Sequence, residues 1–291
     1  MQNGIILKGY SGFYYVQTED GVIECSLRGK SRQKKQEFYP GDRVIISRGS
    51  SGQGAIEDIQ TRDTLLLRPP VANVSLLVIV MSLGYPQAEL TLLDRLLVLA
   101  EFAGIRPLIV LSKLDTANEH RVEEIKADYV GTGYQFIATS TKSLEGLENV
   151  RRELAGETTV FAGQSGAGKT SLMNILIPEV QLKTGSLGDK SNRGKHTTRH
   201  IELFPYHGGY LVDTPGFNRL YVPEMQEMEL QNSFPEFKPY QDLCRFATCR
   251  HYKEPDCMVK EHVDGIHISS RRYDNYIQFL LEINNKEIRY E

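Results

Sequence analysis

Between the apolar run Thr159-Val160-Phe161-Ala162 and a helical stretch beginning near Lys169 lies Gly163-Gln164-Ser165-Gly166-Ala167-Gly168-Lys169-Thr170, the pattern G-x-x-x-x-G-K-[ST]. Glycines without a Cβ let consecutive backbone N–H groups converge on phosphate oxygens at a helix N-terminus, where the macrodipole favours negative charge. Such a loop needs a strand before it and a helix after it, so the chain around it must be α/β. The pattern marks residues Gly163 to Ser171 as a nucleotide phosphate cradle. In that reading Lys169 bridges the β- and γ-phosphates and the Thr170 hydroxyl is offered to Mg²⁺, a hard cation that takes oxygen ligands.

The surrounding pattern agrees. Apolar runs at 76–81, 108–111, 135–138, 159–162 and 210–212 alternate with helix-like stretches near 89–103, 119–131, 145–154 and 169–177, which predicts a mostly parallel, doubly wound sheet. Leu92, Leu93, Leu96, Leu97, Leu99 and Ala100 share one helical face, read as core against that sheet. Residues 1–68 look different: short β-branched and aromatic segments separated by Asp20-Gly21, Pro40-Gly41 and Ser51-Gly52 predict a small β-barrel of the OB type. Five cations and no anion lie between Arg28 and Lys35. With Phe13, Tyr14 and Tyr15 nearby, that loop fits a nucleic-acid face, or else a solvated loop beside core aromatics. After Pro223 the chain turns polar and closes on a helical period at 273–287. The expected division is 1–68, 69–222 and 223–291.

Ser112-Lys113-Leu114-Asp115, after the run 108–111, has the form of the [N/T]-K-x-D loop that reads guanine. A carboxylate there accepts two hydrogen bonds from a purine edge that adenine lacks, and leaving it without donors penalises adenine. Ser112 stands where such loops usually carry Asn, which predicts a weakened tie to the phosphate loop. Alone, a Lys-x-Asp at a strand end also suits a solvated loop. Ser140, within Thr139-Ser140-Thr141-Lys142, belongs to a stretch resembling the short loop whose backbone contacts guanine O6. Asp213-Thr214-Pro215-Gly216 matches D-x-x-G, in which Asp orders Mg²⁺ through water and the Gly N–H senses the γ-phosphate. Upstream of it, Lys195-His196-Thr197-Thr198 offers a hydroxyl, from Thr197 or Thr198, to the same metal.

Cys244-x₄-Cys249-x-His251-x₅-Cys257 supplies three thiolates and one imidazole within fourteen positions, enough for a closed tetrahedral Zn²⁺ site. We read one structural ion per chain, stabilising a segment with few apolar residues. Cys25 stands apart and reads as a small core residue.

The motif order, base-reading loop before phosphate loop before D-x-x-G, is rotated relative to ordinary small GTPases. On these motifs the chain resembles, over essentially its whole length, the circularly permuted ribosome-small-subunit-dependent GTPase A family. The resemblance implies a β-barrel, a permuted GTPase domain and a Cys/His zinc module. It further implies binding of GTP and GDP, and action as a monomer on the small (30S) ribosomal subunit and its 16S rRNA, late in maturation, with hydrolysis stimulated by the subunit. Phe217 occupies the position after D-x-x-G where Ras-like enzymes place a water-orienting Gln, so His196 becomes the candidate catalytic group. A solvated or phosphate-contacting His196 is the plainer option. Arg245, Arg250, Lys253, Arg271 and Arg272 are expected to give the third segment RNA phosphate contacts, or to be scattered surface charge. A P-loop ATPase or small-molecule kinase with an accessory nucleic-acid-binding domain is the rival reading. A formal net charge of -3 gives no global pull toward nucleic acid or membrane, and the clustered cysteines suit a reduced, cytoplasmic setting.

Overall fold

The computed structural model describes residues 1–27, 37–49, 52–180, 201–213, 222–263 and 266–287. The basic loop 28–35, His196, Thr197, Thr198, Gly216 and Phe217 lie outside the described residues. The chain divides into two compact units, Met1–Leu77 with Arg151–Phe161 and Lys183–Pro215, and Val78–Val150 with Ala162–Leu182 and Gly216–Glu291.

In the first unit, β1 (Gln2–Tyr10), β2 (Phe13–Thr18), β3 (Gly21–Leu27), β4 (Arg43–Arg48) and β5 (Gly54–Ile59) close a barrel in the order β1-β2-β3-β5-β4. β1 runs antiparallel to β4 and β3 parallel to β5, the connectivity of an OB-type barrel. Period-two alternation sends Ile6, Val16, Ile23, Cys25, Val44, Ile46 and Ile56 inward. A bulge between Ile6 and Lys8 lets the consecutive Ile6 and Leu7 both be buried. Of the candidate base-stacking aromatics, Phe13 is exposed, Tyr14 tilts against Phe38 with centroids 5.7 Å apart, and Tyr15 donates to Glu24. A short ribbon, β6 (Leu65–Leu67) with β7 (Pro70–Ala72), follows the barrel. Lys8 on β1 pairs at 2.7 Å with Glu202, the first residue of β12 (Glu202–Tyr206).

The six-stranded sheet has the order β10-β9-β8-β11-β13-β12. Its strands are β8 (Leu76–Ser82), β9 (Arg106–Ser112), β10 (Gln135–Ala138), β11 (Thr158–Ala162), β12 and β13 (Gly209–Asp213). β10 is parallel to β9 and β11 to β13, while the edge strand β12 is antiparallel to β13. Every residue of β8 is buried, as its unbroken apolar run requires.

In the second unit, α1 (Leu90–Ala103) buries Leu93, Leu96, Leu97 and Ala100, and Gly104 in the left-handed region closes it by donating to Ala100 and Glu101. Asn118 caps α2 (Glu119–Ala127) by accepting from His120 and Arg121. That helix stops short of the expected 131 and gives way to a tighter turn at Val130–Thr132. Then follow α3 (Leu147–Leu154), α4 (Lys169–Leu176), α5 (Glu227–Asn232) and α6 (Ser270–Glu287). α5 opens on a capping box between Gln226 and Glu229.

The C-terminal segment is less polar inside than its composition suggests. Phe234, Phe237, Tyr276 and Phe279 build an aromatic core, with Phe234 stacked on Phe237 at 5.2 Å, and Val98 of α1 joins the same cluster. Arg271 and Arg272 are not RNA-facing cations. Arg272 is 1% exposed and bonded to Glu236 and to Asp94, whose carboxylate also accepts from Arg271, Asn275 and Tyr129. The physical reason is helical phase: both arginines open α6 on the side that meets α1 and the turn after α2, where Asp94 and Asp128 await them. Arg245 and Arg250 are exposed and paired with Asp256 and Glu227. Among the described residues no helix is long and apolar enough to cross a membrane.

Candidate functional site

The phosphate loop hangs on a close backbone approach. A Cβ at Gly163, whose φ is +130°, would lie 2.2 Å from the carbonyl oxygen of Val80, so only glycine lets the loop leave β11 there. Lys169 opens α4, and its ammonium donates to the carbonyls of Gly163 and Gln164, each at 2.7 Å. Burial draws the Lys169 pKa down to about 8. An arriving polyphosphate would supply the charge this half-buried cation lacks. Thr170 follows it in the first turn, while Ser165, Gly166 and Ser171 are exposed and Ala167 is buried.

The candidate base-reading residues assemble beside this loop. Lys113 adopts φ 61° at the end of β9, and its ammonium spans the carbonyls of Tyr85 and Gly166 at 2.5 and 2.7 Å. The expected weakness at Ser112 is not found: its Oγ donates to the carbonyl of Ala167 at 2.5 Å. The strand end and the phosphate loop approach closely enough for a one-carbon hydroxyl to make the tie. Asp115 sits on a tight turn, Leu114–Thr116. Its Oδ1 accepts from Ser140 Oγ at 2.7 Å and its Oδ2 pairs with Lys142 at 3.1 Å. Ser140 is fully buried and is itself held by the backbone N–H groups of Lys142 and Ser143, both at 3.1 Å. The Ser140 hydrogen bond, then that of Lys142, lowers the Asp115 pKa below the ordinary aspartate value. An ionised, oriented carboxylate with lone pairs to spare can accept a pair of N–H donors from a purine edge.

These residues came from three motifs separated in sequence, and the second unit brings all of them together. Gln164 shows a function its sequence position did not announce: its carboxamide bonds the backbone at Gln87 and Glu89. Only the type of residue hinted at it, since a long amide in a Gly-rich loop needs partners. Asp213 ends β13, and of the remaining Mg²⁺ candidates only Thr170 lies in a described helix.

Cys244, Cys249, His251 and Cys257 converge, their ligand atoms all within 4.8 Å of one another. His251 Nδ1 lies 3.6 Å from Cys244 Sγ and 3.3 Å from Cys257 Sγ, and the two sulfurs are 3.9 Å apart. Bonds of about 2.3 Å to sulfur and 2.0 Å to nitrogen around a tetrahedral centre place ligand atoms roughly 3.5–3.8 Å apart. The cluster therefore fits a structural zinc ion. Burial pushes the Cys257 thiol up to about 12 and the His251 imidazole down to about 4, so the pocket disfavours thiolates until a cation compensates them. His251 is held in place through its carbonyl, which accepts from the phenolic hydroxyl of Tyr273 on α6 at 2.7 Å.

A β-barrel followed by a sheet whose base-reading loop precedes its phosphate loop defines a circularly permuted P-loop GTPase with an appended Cys₃His module. Residues 59–223 match the family model described as RsgA GTPase, and residues 3–56 that of the RsgA N-terminal domain. The chain belongs to the RsgA GTPase family and is a GTP-hydrolysing enzyme. It is 44% identical over 283 residues, 97% of this chain and 98% of the relative, to a protein of Clostridium perfringens named small ribosomal subunit biogenesis GTPase RsgA. It is 44% identical over 293 residues, the full length of both, to the protein of that name from Geobacillus kaustophilus. Among solved structures it is similar to YjeQ from Thermotoga maritima, with a TM-score of 0.85 and 35% identity over 97% of this chain and 98% of that one. It is also similar to YloQ, described as a circularly permuted GTPase, with a TM-score of 0.83 and 37% identity over 98% of this chain and 96% of that one.

Proposed function

We propose that this GTPase is a cytoplasmic, monomeric maturation factor that binds the small ribosomal subunit through its 16S rRNA and hydrolyses GTP when the subunit stimulates it. The names of the full-length relatives support the subunit as partner. The observation that carries the nucleotide half is the Asp115 carboxylate, held by Ser140 and Lys142 beside a phosphate loop tied to it through Ser112. In this reading residues 1–68 form the RNA-binding barrel, 69–222 the GTPase domain and 223–291 the zinc-binding unit.

Roles follow from chemistry. Residues Gly163 to Ser171 cradle the phosphates, Lys113 and Asp115 hold the base, and Gly216 senses the γ-phosphate. Thr170, Thr197 or Thr198, and Asp213 through water would hold Mg²⁺, which neutralises charge on the β- and γ-oxygens. With Phe217 unable to orient water, His196 takes the catalytic position near the γ-phosphate, where a neutral imidazole can accept a hydrogen bond from the attacking water. Phosphate release measured with and without purified small subunits tests the whole: strong stimulation is expected, and its loss in His196→Ala with GDP binding intact. Turnover indifferent to the subunit would remove the ribosomal role. Asp115→Asn should shift preference toward xanthine nucleotides, and an unchanged preference would remove Asp115 from base recognition.

A further inference from the structure

Two sets of contacts meet on α1, and a third reaches it through Gln164. At its start, Gln164 Nε2 donates to the carbonyl of Gln87 at 2.7 Å while Gln164 Oε1 accepts from the N–H of Glu89 at 2.9 Å. Glu89 precedes the first turn of α1 and supplies no side-chain cap of its own. One carboxamide thus reads a backbone acceptor and a backbone donor two residues apart, which fixes both the height and the rotation of the helix end.

Along the same helix, Thr91, Asp94, Arg95 and Val98 recur at helical spacing and meet the C-terminal unit. Thr91 bonds Asn275 at 3.3 Å, and the wholly buried Asp94 accepts from Arg271 and Arg272 at 2.7 Å each. Arg95 pairs with Glu282 at 2.6 Å and lies 4.4 Å above the ring of Phe279. These groups are bonded to α6 or packed against the same core, so α1 cannot tilt without moving α6.

The third contact is Lys169. Its ammonium donates to the carbonyl of Gln164, the residue whose side chain grips α1. A phosphate in the cradle competes for that ammonium with an ionised acceptor, where the carbonyls offer only neutral ones. The backbone of Gln164 therefore feels phosphate while its side chain feels the helix.

We propose that Gln164 is a positioning residue through which the grip of the phosphate loop on nucleotide depends on the seating of α6 against α1. The proposal rests on the nucleotide-binding reading above and adds to it the C-terminal helix as a determinant of affinity. By linkage, nucleotide in the loop equally alters how firmly α6 is held.

The test is a double-mutant cycle on the full chain, with Gln164→Ala, Arg95→Met and their combination, read by binding of a fluorescent GDP analogue and by hydrogen exchange. Each single substitution should weaken binding about fivefold or more. The combination should be no weaker than Gln164→Ala alone, because without the carboxamide the tilt of α1 no longer reaches the loop. Exchange at residues 90–95 should quicken in Gln164→Ala with or without nucleotide. Gln164→Glu, which keeps the acceptor for Glu89, should restore part of the protection. Should Arg95→Met fail to fold, Glu282→Gln breaks the same pair. Effects that multiply in the combination, or exchange at 90–95 indifferent to Gln164→Ala, overturn the proposal. A wild-type chain that ignores the GDP analogue would instead overturn the guanine reading, and the exchange measurement would still decide the relay.

Discussion

Ser112 Oγ donates to the carbonyl oxygen of Ala167 at 2.5 Å, so the loop that presents Asp115 and the loop that cradles phosphate are held as one body. Ala167 is buried, and Ser112→Ala would leave its carbonyl without that donor. The expected cost is about 1–2 kcal/mol, or roughly five- to thirtyfold in affinity for GDP and GTP alike. Calorimetric titration of both nucleotides checks it, and affinities within twofold of the parent would show the tie to be incidental.

Asp115 carries a pH dependence with a definite sign. Its folded pKa lies below the unfolded value, so the stabilising effect of its ionised form is complete above about pH 4 and disappears as pH falls through the lowered value. Ser140→Ala removes the largest cause of that lowering, and the carboxyl titration should move upward toward the ordinary aspartate range. Carbon-detected NMR of the aspartate carboxyls follows this directly; an unmoved Asp115 titration would contradict it.

The Cys₃His cluster predicts a proton count. With Cys257 pushed up to about 12 and His251 already neutral near pH 7, loading Zn²⁺ into metal-free protein should release about one proton per thiol bound and none from the imidazole. Titration in buffers of different ionisation enthalpy measures the release. Chelation should also lower the melting temperature, with loss of protection centred on residues 244–262. Zinc uptake without proton release would mean that the thiols do not bind it.

The arginine network should be costly to break singly and cheaper to break in pairs. Arg272→Met leaves Asp94 and Glu236 facing each other in the interior with one fewer cation, a loss of about 3–5 kcal/mol. Adding Glu236→Gln should return part of it. Urea unfolding of the two variants reports the difference, and equal losses would show that the burial of charge is not what the network balances.

Much of this was legible in the sequence because its chemistry is contiguous. The phosphate loop, the Asp115 turn and the cysteine spacing each place their groups within a few residues, and backbone geometry does the rest. The runs 76–81 and 108–111 announced β8 and β9 because a strand buried on both faces has no polar positions to confuse the pattern. The network was illegible for the opposite reason. Arg271 meets Asp94 across 177 positions and Asp128 across 143, so a local reading sees two exposed cations. Gln164 was likewise hidden, since its partners are backbone atoms that carry no residue identity.

The ion pair between Lys8 and Glu202 joins the first barrel strand to β12, which closes one side of the six-stranded sheet. Trimming the chain at the start of the GTPase match would remove β1 from beside β12 and leave the Glu202 carboxylate without its cation. A shortened enzyme of this kind would lose the neighbour beside its outermost strand, the edge along which two sheets can otherwise join.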